Sequence, residues 1–296
     1  MTQNIIDFDS LAERFSYSTQ LPQLSSAALR LTQALDHEDA QSSELEKIIL
    51  SDPGLTAGVI RAASNSFYGI QSKSVTSVRR AIIVLGERSV RSLAVSLWAH
   101  SMVSNQLVHP ALSRKQFARH CLFVGYLAAY LYSRKQKVDK IREALAPEDV
   151  FATGVLHDVG IGLLGVVSPE TLDCVVAHAK CEGVEPATAF KLLTDHSIHE
   201  LAVLALGIWH LPDVFSAMIS AQEQPWENNP YSVGAACLNY AEYLASANKH
   251  GILECFRGEA NPEVEELMGI DPADVGDIIS VVTGYTDSFE SHSKAA

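Results

Sequence analysis

Four prolines in this sequence each follow a residue whose side chain can cap a helix. An Asp, Ser or Asn there accepts hydrogen bonds from the first N–H groups of a helix, and proline fits the first helical turn because it needs no donor. Amphipathic runs follow, and no segment alternates in polarity over six residues, so the pattern predicts an all-α fold. The four pairs are Asp52-Pro53, Ser168-Pro169, Asn261-Pro262 and Asp271-Pro272.

The apolar periodicity places the predicted helices. We expect them at about residues 25–35, 42–51, 54–66, 87–102, 114–134, 149–164, 198–210 and 231–247. With 47% hydrophobic and 19% charged residues in a chain of 296, these helices can bury a large core.

Charge and cysteine usage narrow the classes of function. The formal net charge is −13, and a surface that negative repels phosphate backbones, so we expect no nucleic-acid partner. The five cysteines include no C-x-x-C pair, which argues against a cysteine zinc site and favours a reduced, cytoplasmic setting. We see no signal peptide and no uninterrupted apolar stretch of about 18 residues, and therefore expect no membrane span.

Two changes in composition divide the chain. Residues 103–115 are polar, and acids greatly outnumber bases between 254 and 290. We therefore predict an N-terminal helical subdomain over 1–108, a second helical subdomain over 109–250 and an acidic helical segment over 251–296. The acids of that last segment form either a solvated face or a docking surface for a basic partner.

Histidine and aspartate side chains are the candidates for chemistry. His157 and Asp158 are adjacent in the apolar segment GVLHDVG, where burial is costly unless the two groups are paired or bind a metal. His120, on another apolar run, is either a third ligand or an ordinary core histidine. His196 and His199 lie at a predicted helix start, where the helix dipole favours a neutral imidazole. They are either further ligands or part of a half-exposed capping turn.

One basic cluster stands out in the N-terminal third. Arg88 and Arg91 share a helix face and could hold an anion, a phosphorylated partner or an acidic protein surface. The alternative is that these arginines form salt bridges with acids of the same chain. The arginines of the cluster are Arg79, Arg80, Arg88 and Arg91.

Six short motifs, in this order, resemble those of the HDOD family, the HD-related output domain of bacterial signalling proteins. The motifs are Leu21-Pro22 with Leu24, ILSDPGL at 49–55, ASNSFYG at 63–69, VTSVRRAIIVLG at 75–86, LHDVG at 156–160 and WHLP at 209–212. The resemblance covers about residues 20–245. It implies an N-terminal helical bundle packed on a divergent HD-type helical bundle.

By the resemblance, the chain has either a remnant site for one divalent metal ion or no metal at all. HD phosphohydrolases spread their ligands in the order H…HD…H…D, and by that pattern His120, His157 and Asp158 match. Glu242 stands at the place of the late Asp. His199 takes the intermediate position only if the alignment shifts by one residue, because Ile198 falls in register.

Further departures from the HD pattern imply that the chemistry is lost. Ile161 stands where cyclic di-GMP phosphodiesterases have a lysine, and residues 219–222 (ISAQ) lack the two histidines that follow the W-x-L-P motif. We therefore expect a non-catalytic signalling module with no cofactor, acting through other signalling proteins in a cyclic di-GMP or two-component circuit. The alternatives are a metal-dependent phosphohydrolase with a degenerate site and a ligand-sensing cleft.

Overall fold

The computed structural model describes residues 6–18, 31, 42–64, 75–139, 141, 143, 145–226, 230–253 and 259–291, and in these residues every regular element is a helix. In chain order the helices are α1 (Phe8–Tyr17), α2 (Ser42–Leu50), α3 (Pro53–Ala63), α4 (Val78–Leu85), α5 (Glu87–Gln106), α6 (Arg114–Asp139), α7 (Pro147–Leu156), α8 (Val159–Val167), α9 (Pro169–Glu182), α10 (Pro186–Thr194), α11 (His199–Ile208), α12 (Asp213–Ser220), α13 (Ser232–Ala247), α14 (Pro262–Met268) and α15 (Pro272–Ser291). The all-α prediction is confirmed. The helix expected at 25–35 lies outside the described residues, except for Leu31.

In most of the predicted capping pairs, the residue before the proline caps the helix as predicted. Asp52 Oδ1 accepts from the N–H of Leu55 at 2.9 Å, and Asn261 accepts from two N–H groups of α14. Ser168 does not cap α9 with its side chain. Its hydroxyl donates instead to the Glu170 carboxylate at 2.9 Å.

The single helix predicted over 149–164 is two helices. The chain breaks at His157–Asp158, between α7 and α8. After the break, Gly160 packs on the backbone of α11 so closely that a Cβ at that position would lie 2.6 Å from the Ala202 nitrogen. The amphipathic pattern does not reveal this break, because both sides of it are equally apolar and buried.

Helices α2–α5 form the first bundle, and α6, α7, α8, α11, α12 and α13 form the second. Helix α5 belongs to both cores, since it is buried on nearly every face and packs on α3 as well as α7. Trp98 of α5 meets Trp209 with ring centroids 6.0 Å apart. The loop between α5 and α6, at 107–113, falls where the sequence suggests a boundary.

Both chain ends pack against the second bundle. Phe8 of α1 stacks on His196 at 3.9 Å, so α1 lies across the predicted boundary at residue 108. At the other end, α14 packs on α13 and α15 lies along α6. Arg119 of α6 contacts Asp287 at 2.7 Å and Glu290 at 3.0 Å.

The segment Pro147–Val167 is the part of the described chain that is long and apolar enough to cross a membrane. It comprises α7 and α8, and 89% of its most apolar window is buried inside the fold. That burial is the environment of a core helix pair. Asp149 and Asp158 interrupt the segment with charge, as expected from the sequence.

Candidate metal centre

His120 and His157 face each other where α6 crosses the junction between α7 and α8. The Nε2 atoms of the two rings lie 3.3 Å apart, and both side chains are fully buried. His120 projects from the buried face of α6, and His157 occupies the turn at which α7 ends. Because the chain breaks there, His157 and Asp158 reach the same point although they are consecutive.

Two carboxylates complete the cluster. Asp158 Oδ2 lies 3.1 Å from His120 Nε2 and 3.3 Å from His157 Nε2. Glu242 Oε2, from α13, lies 3.2 Å from both nitrogens. The donor atoms of His120, His157 and Asp158 therefore form a triangle with sides of 3.1–3.3 Å. Three ligands that each lie about 2.0–2.2 Å from one ion have this spacing.

Backbone carbonyl groups fix the tautomer of both imidazoles. His120 Nδ1 donates to the carbonyl oxygen of His250 at 2.8 Å, and His157 Nδ1 donates to that of Gly154 at 2.7 Å. Because a carbonyl oxygen only accepts, each Nδ1 carries a proton and each Nε2 is directed into the cluster. Metal-binding histidines are typically oriented in this way, through the nitrogen that does not bind the metal.

The four groups shift one another's pKa. Burial opposes the charged form of His120, but Glu242 and Asp158 outweigh it and hold the pKa of His120 well above its ordinary value. Burial also opposes charge on His157, yet Asp158 and Glu242 raise the pKa of His157 to about 9. Burial would raise the pKa of Glu242, but His120 and His157 lower it to about 2.

The pKa of Asp158 is lowered in the same way as that of Glu242. Burial would raise its pKa, but His157 and His120 hold it well below the ordinary value. Without an ion, the two carboxylates therefore favour the charged forms of the imidazoles, and the imidazoles favour the charged forms of the carboxylates. With an ion, the same four groups would bind it in their deprotonated forms, and the ion would supply the positive charge.

One oxygen atom of Glu242 has no hydrogen-bond partner among the described residues, and this indicates whether the four residues could bind a metal ion. Glu242 Oε2 is buried and makes no hydrogen bond of acceptable geometry with any described group, although two imidazole nitrogens lie 3.2 Å away. An oxygen that approaches two nitrogens without hydrogen-bonding to either has a lone pair free for an ion. Two imidazoles and two carboxylates suit a divalent ion of the zinc, manganese or iron type.

The structure brings the donor atoms of His120, His157 and Asp158 within 4.8 Å of one another. Glu242 is outside this group of three, although its Oε2 lies 3.2 Å from both imidazole nitrogens. His199 is also outside the group. Its Nε2 lies 3.8 Å from Glu223 instead. Burial lowers the pKa of His199 and so favours its neutral form. The ring of His199 lines a cavity beside the cluster.

The basic cluster lies away from this centre. Arg88 Nη2 donates to the buried Asp149 carboxylate at 3.0 Å, and Arg91 lies 3.9 Å from Glu87. For these two residues the structure therefore supports the alternative of internal salt bridges. Arg79 and Arg80 are exposed on α4.

A cavity of about 490 Å³ opens beside the centre. The side chains of Asp158 and Glu242, which are 13% and 31% exposed, border it together with His199, whereas the two ligand imidazoles lie behind them. Helices α8, α10 and α13 and the turn at 249–253 supply its walls. Its charged residues in the described part of the chain are Asp158, Glu185, Glu242, Glu259 and Lys249.

Sequence reasoning missed His250. Its contribution to the centre is a backbone carbonyl, which every residue carries, so no side-chain pattern could have identified it. The nearest signal is the turn around it, where Lys249 and Leu253 adopt φ values of 64° and 59°. Such left-handed backbone is unusual for residues other than glycine.

Comparisons with known proteins agree with this architecture. The family model of the HDOD domain matches residues 21–225. An HDOD domain protein of unknown function from Geobacter sulfurreducens superposes with a TM-score of 0.67 at 22% identity, over 94% of this chain and 90% of that one. A Shewanella amazonensis SB2B protein, named provisionally as a phosphohydrolase, gives 0.68 at 20% identity, over 94% of this chain and 99% of that one.

An uncharacterised protein of Treponema pallidum (strain Nichols) is 23% identical over 204 residues. The match spans 69% of this chain and 37% of that protein, so this chain corresponds to little more than a third of the curated relative. At these identities the solved structures show the fold alone. The family match, which covers more than half of the sequence, shows that the chain belongs to the HDOD domain family.

Proposed function

We propose that this chain is a signalling module of the HDOD family that acts through contacts with other proteins and catalyses no reaction. The observation that carries the proposal is the charge of the cavity beside the metal centre. Four acidic residues line it, and Lys249 is the one lysine or arginine among the described lining residues. A phosphate ester would meet charge of its own sign there, which disfavours such a substrate.

The number of ligands supports the same proposal. The donor atoms of His120, His157 and Asp158 form the group that could hold one ion, and Glu242 adds a carboxylate 3.2 Å from both imidazoles. His199 lies outside the group. A two-metal phosphohydrolase centre needs ligands for a second ion as well as a water positioned between the two. The further imidazole on the described cavity wall is that of His199, and its Nε2 lies 3.8 Å from Glu223 and outside the group of donor atoms.

We further propose that the centre holds one divalent ion in a structural role. Its four candidate ligands come from α6, from the junction of α7 and α8, and from α13. An ion bound to all of them would tie together the helices at the middle of the second bundle. Its binding free energy would then add to the free energy of unfolding.

The exposed face of α4 is the candidate contact surface. Arg79 and Arg80 are exposed there, and Ile83 beside them is 65% exposed. Arginine next to an apolar side chain is a combination that protein interfaces favour. Because this face is basic on an acidic protein, we propose an acidic surface of another signalling protein as its partner.

The first test is the metal content of protein purified without chelator and without a histidine tag. We expect about one ion per chain in the wild type and in the surface control His178→Ala, and none in His157→Ala. A screen of phosphomonoesters, phosphodiesters and cyclic dinucleotides should show no turnover above that of His157→Ala. Metal-dependent hydrolysis that disappears in His157→Ala and Glu242→Gln would overturn the non-catalytic proposal.

A second candidate function is a metal-dependent phosphohydrolase, which the position of Glu242 favours. Its carboxylate meets both imidazoles at 3.2 Å, as a late acidic ligand must, and it borders a cavity large enough for a small substrate. A bound metal ion would supply an activated water at neutral pH. In that case His120 and His157 would hold the ion, and Lys249 would contact the substrate phosphate.

A further inference from the structure

We propose that the cavity beside the metal centre binds an aliphatic amine of the polyamine class. This proposal rests on the proposed function in one respect, since it takes the site as a sensing or structural site and not as a site for phosphate esters. It holds with or without an ion at the centre, because the groups that carry it lie along the cavity wall. Three independent features of that wall point to this ligand.

The first feature is charge. Glu185, at the start of α10, and Glu259 line the cavity in addition to Asp158 and Glu242, and Lys249 is the one ammonium or guanidinium group among the described lining residues. If Asp158 and Glu242 are committed to an ion, Glu185 and Glu259 still line the cavity. Acidic side chains therefore border it in either state of the centre, and they favour a cation over an anion.

The second feature is a buried acceptor without a donor. Gln222 lines the cavity and is 3% exposed. Its Oε1 has no hydrogen-bond partner in the described part of the chain. A buried acceptor left unpaired is costly, so a ligand that donates a hydrogen bond gains from meeting it. An ammonium group donates three hydrogen bonds and accepts none, whereas a carboxylate or phosphate ligand would bring further acceptors.

The third feature is the apolar part of the wall. The aliphatic side chains of Ile161, Ile198 and Leu253 are nearly buried where they line the cavity. The aromatic ring of Tyr243 also borders it, and such a ring can contact an ammonium group through its face. A chain of methylene groups between amines suits a wall that has both apolar and acidic residues, whereas a bare metal ion does not use the apolar part.

Calorimetric titration with spermidine tests the proposal. The titration is run on metal-stripped and on zinc-loaded protein, at low and at physiological salt. We expect saturable binding with one site per chain in both states, and none for 1,6-hexanediol, which has the apolar body without the charges. Glu185→Gln and Gln222→Leu should each weaken spermidine about tenfold.

Glu266→Gln is the matched control, since Glu266 is exposed on α14 away from the cavity. It should bind spermidine like the wild type. If Glu266→Gln weakens binding as much as Glu185→Gln does, the attraction is to the acidic surface in general and the proposal is wrong. Equal affinity for hexanediol, or no spermidine binding in either metal state, also overturns it.

The measurement of metal content and the measurement of spermidine binding can give negative results independently of each other. Metal content is measured without any amine, and spermidine binding is measured with and without metal. A protein that holds no ion but binds spermidine in a way sensitive to Gln222→Leu would refute the structural metal and support the amine site. Circular dichroism of Glu185→Gln and Gln222→Leu establishes that weaker binding does not come from unfolding.

Discussion

The imidazole of His120 is oriented by the backbone of His250, whose carbonyl oxygen accepts from Nδ1 at 2.8 Å. That carbonyl is itself held in place, because the ring of His250 stacks on Phe123 with centroids 3.9 Å apart and planes 6° from parallel. The turn after α13 therefore determines where the Nε2 atom of a candidate metal ligand points. It also supplies part of the cavity wall through Lys249 and Leu253.

His250→Ala should weaken metal binding without removing any ligand. The backbone carbonyl remains, but it loses the stacked ring that holds it against His120, so the Nε2 atom of His120 is positioned less well. Loss of a group that supports a metal ligand typically costs 10–100-fold in affinity, and we expect about tenfold. The measurement is competition with a fluorescent zinc chelator. His178→Ala, on α9 away from the centre, should keep wild-type affinity, and unchanged affinity in His250→Ala would refute a supporting role for this turn.

Metal-free protein should lose stability between pH 6.5 and 9. The pKa of His157 rises from 6.5 to about 9 in the folded chain, and that of His120 also rises. The stabilisation by these charged imidazoles is fully present below pH 6.5 and is lost as the pH rises through about 9. We expect a loss on the order of 1–3 kcal/mol, read from urea unfolding in EDTA at pH 6 and at pH 9.5.

The carboxylates act at the other end of the pH scale. Because the pKa of Glu242 falls from 4.5 to about 2, its contribution is present above pH 4.5 and is lost as the pH falls through about 2. In Glu242→Gln, which removes one of the two carboxylates, the loss between pH 6 and 9.5 should shrink. In metal-bound protein we expect the opposite change, a gain in stability as the pH rises. The ion displaces protons from both imidazoles and therefore binds more tightly at higher pH. A wild-type unfolding midpoint that does not change with pH would contradict this account.

The sequence was sufficient to predict which residues are candidate ligands. It was not sufficient to predict the backbone geometry that brings them together. His120, His157 and Asp158 could be identified because charged groups in apolar helices need partners, and the structure places their donor atoms together. The turn that separates α7 from α8 could not be predicted, since the apolar pattern continues through it. His199 lies outside the group of donor atoms. The sequence could not resolve its position, because a shift of one residue on a helix turns a side chain by about 100°.

The arginines of the basic cluster show a second limit of prediction from sequence. A run of arginines in a sequence does not reveal which of them find acids in the fold. Arg88 meets Asp149, which lies 61 residues further along the chain, and only the packing of α5 against α7 brings the two together. The prediction that Arg79 and Arg80 contact a partner remains a prediction.

The acidic C-terminal segment should be part of the fold and not a free tail. Val282 of α15 is fully buried, whereas its neighbour Val281 is 43% exposed. Val282→Ala removes buried methyl groups and should lower the free energy of unfolding by about 2 kcal/mol. Val281→Ala should change it by less than about 0.5 kcal/mol. Urea denaturation of the two variants provides the comparison, and equal effects would mean that α15 does not pack on α6 in solution.

Gly154 allows α7 to approach α6 closely enough for the two imidazoles to meet. A Cβ at Gly154 would lie 2.6 Å from the Gly125 Cα and 2.9 Å from the Gly125 nitrogen, and these backbone atoms cannot rotate away as a side chain could. Gly154→Ala should therefore destabilise the protein by about 3 kcal/mol. It should also lower metal affinity, because the Gly154 carbonyl accepts from His157 Nδ1.

Gly207 is the matched control for Gly154. It lies in α11, and a Cβ there would meet nothing within 4 Å. Gly207→Ala should stabilise the protein by about 0.5–1 kcal/mol, because alanine loses less backbone entropy on entering a helix. Thermal unfolding and zinc competition are measured on both variants. If Gly154→Ala unfolds at the wild-type temperature and keeps wild-type zinc affinity, the close crossing of α6 and α7 is not what positions the imidazoles.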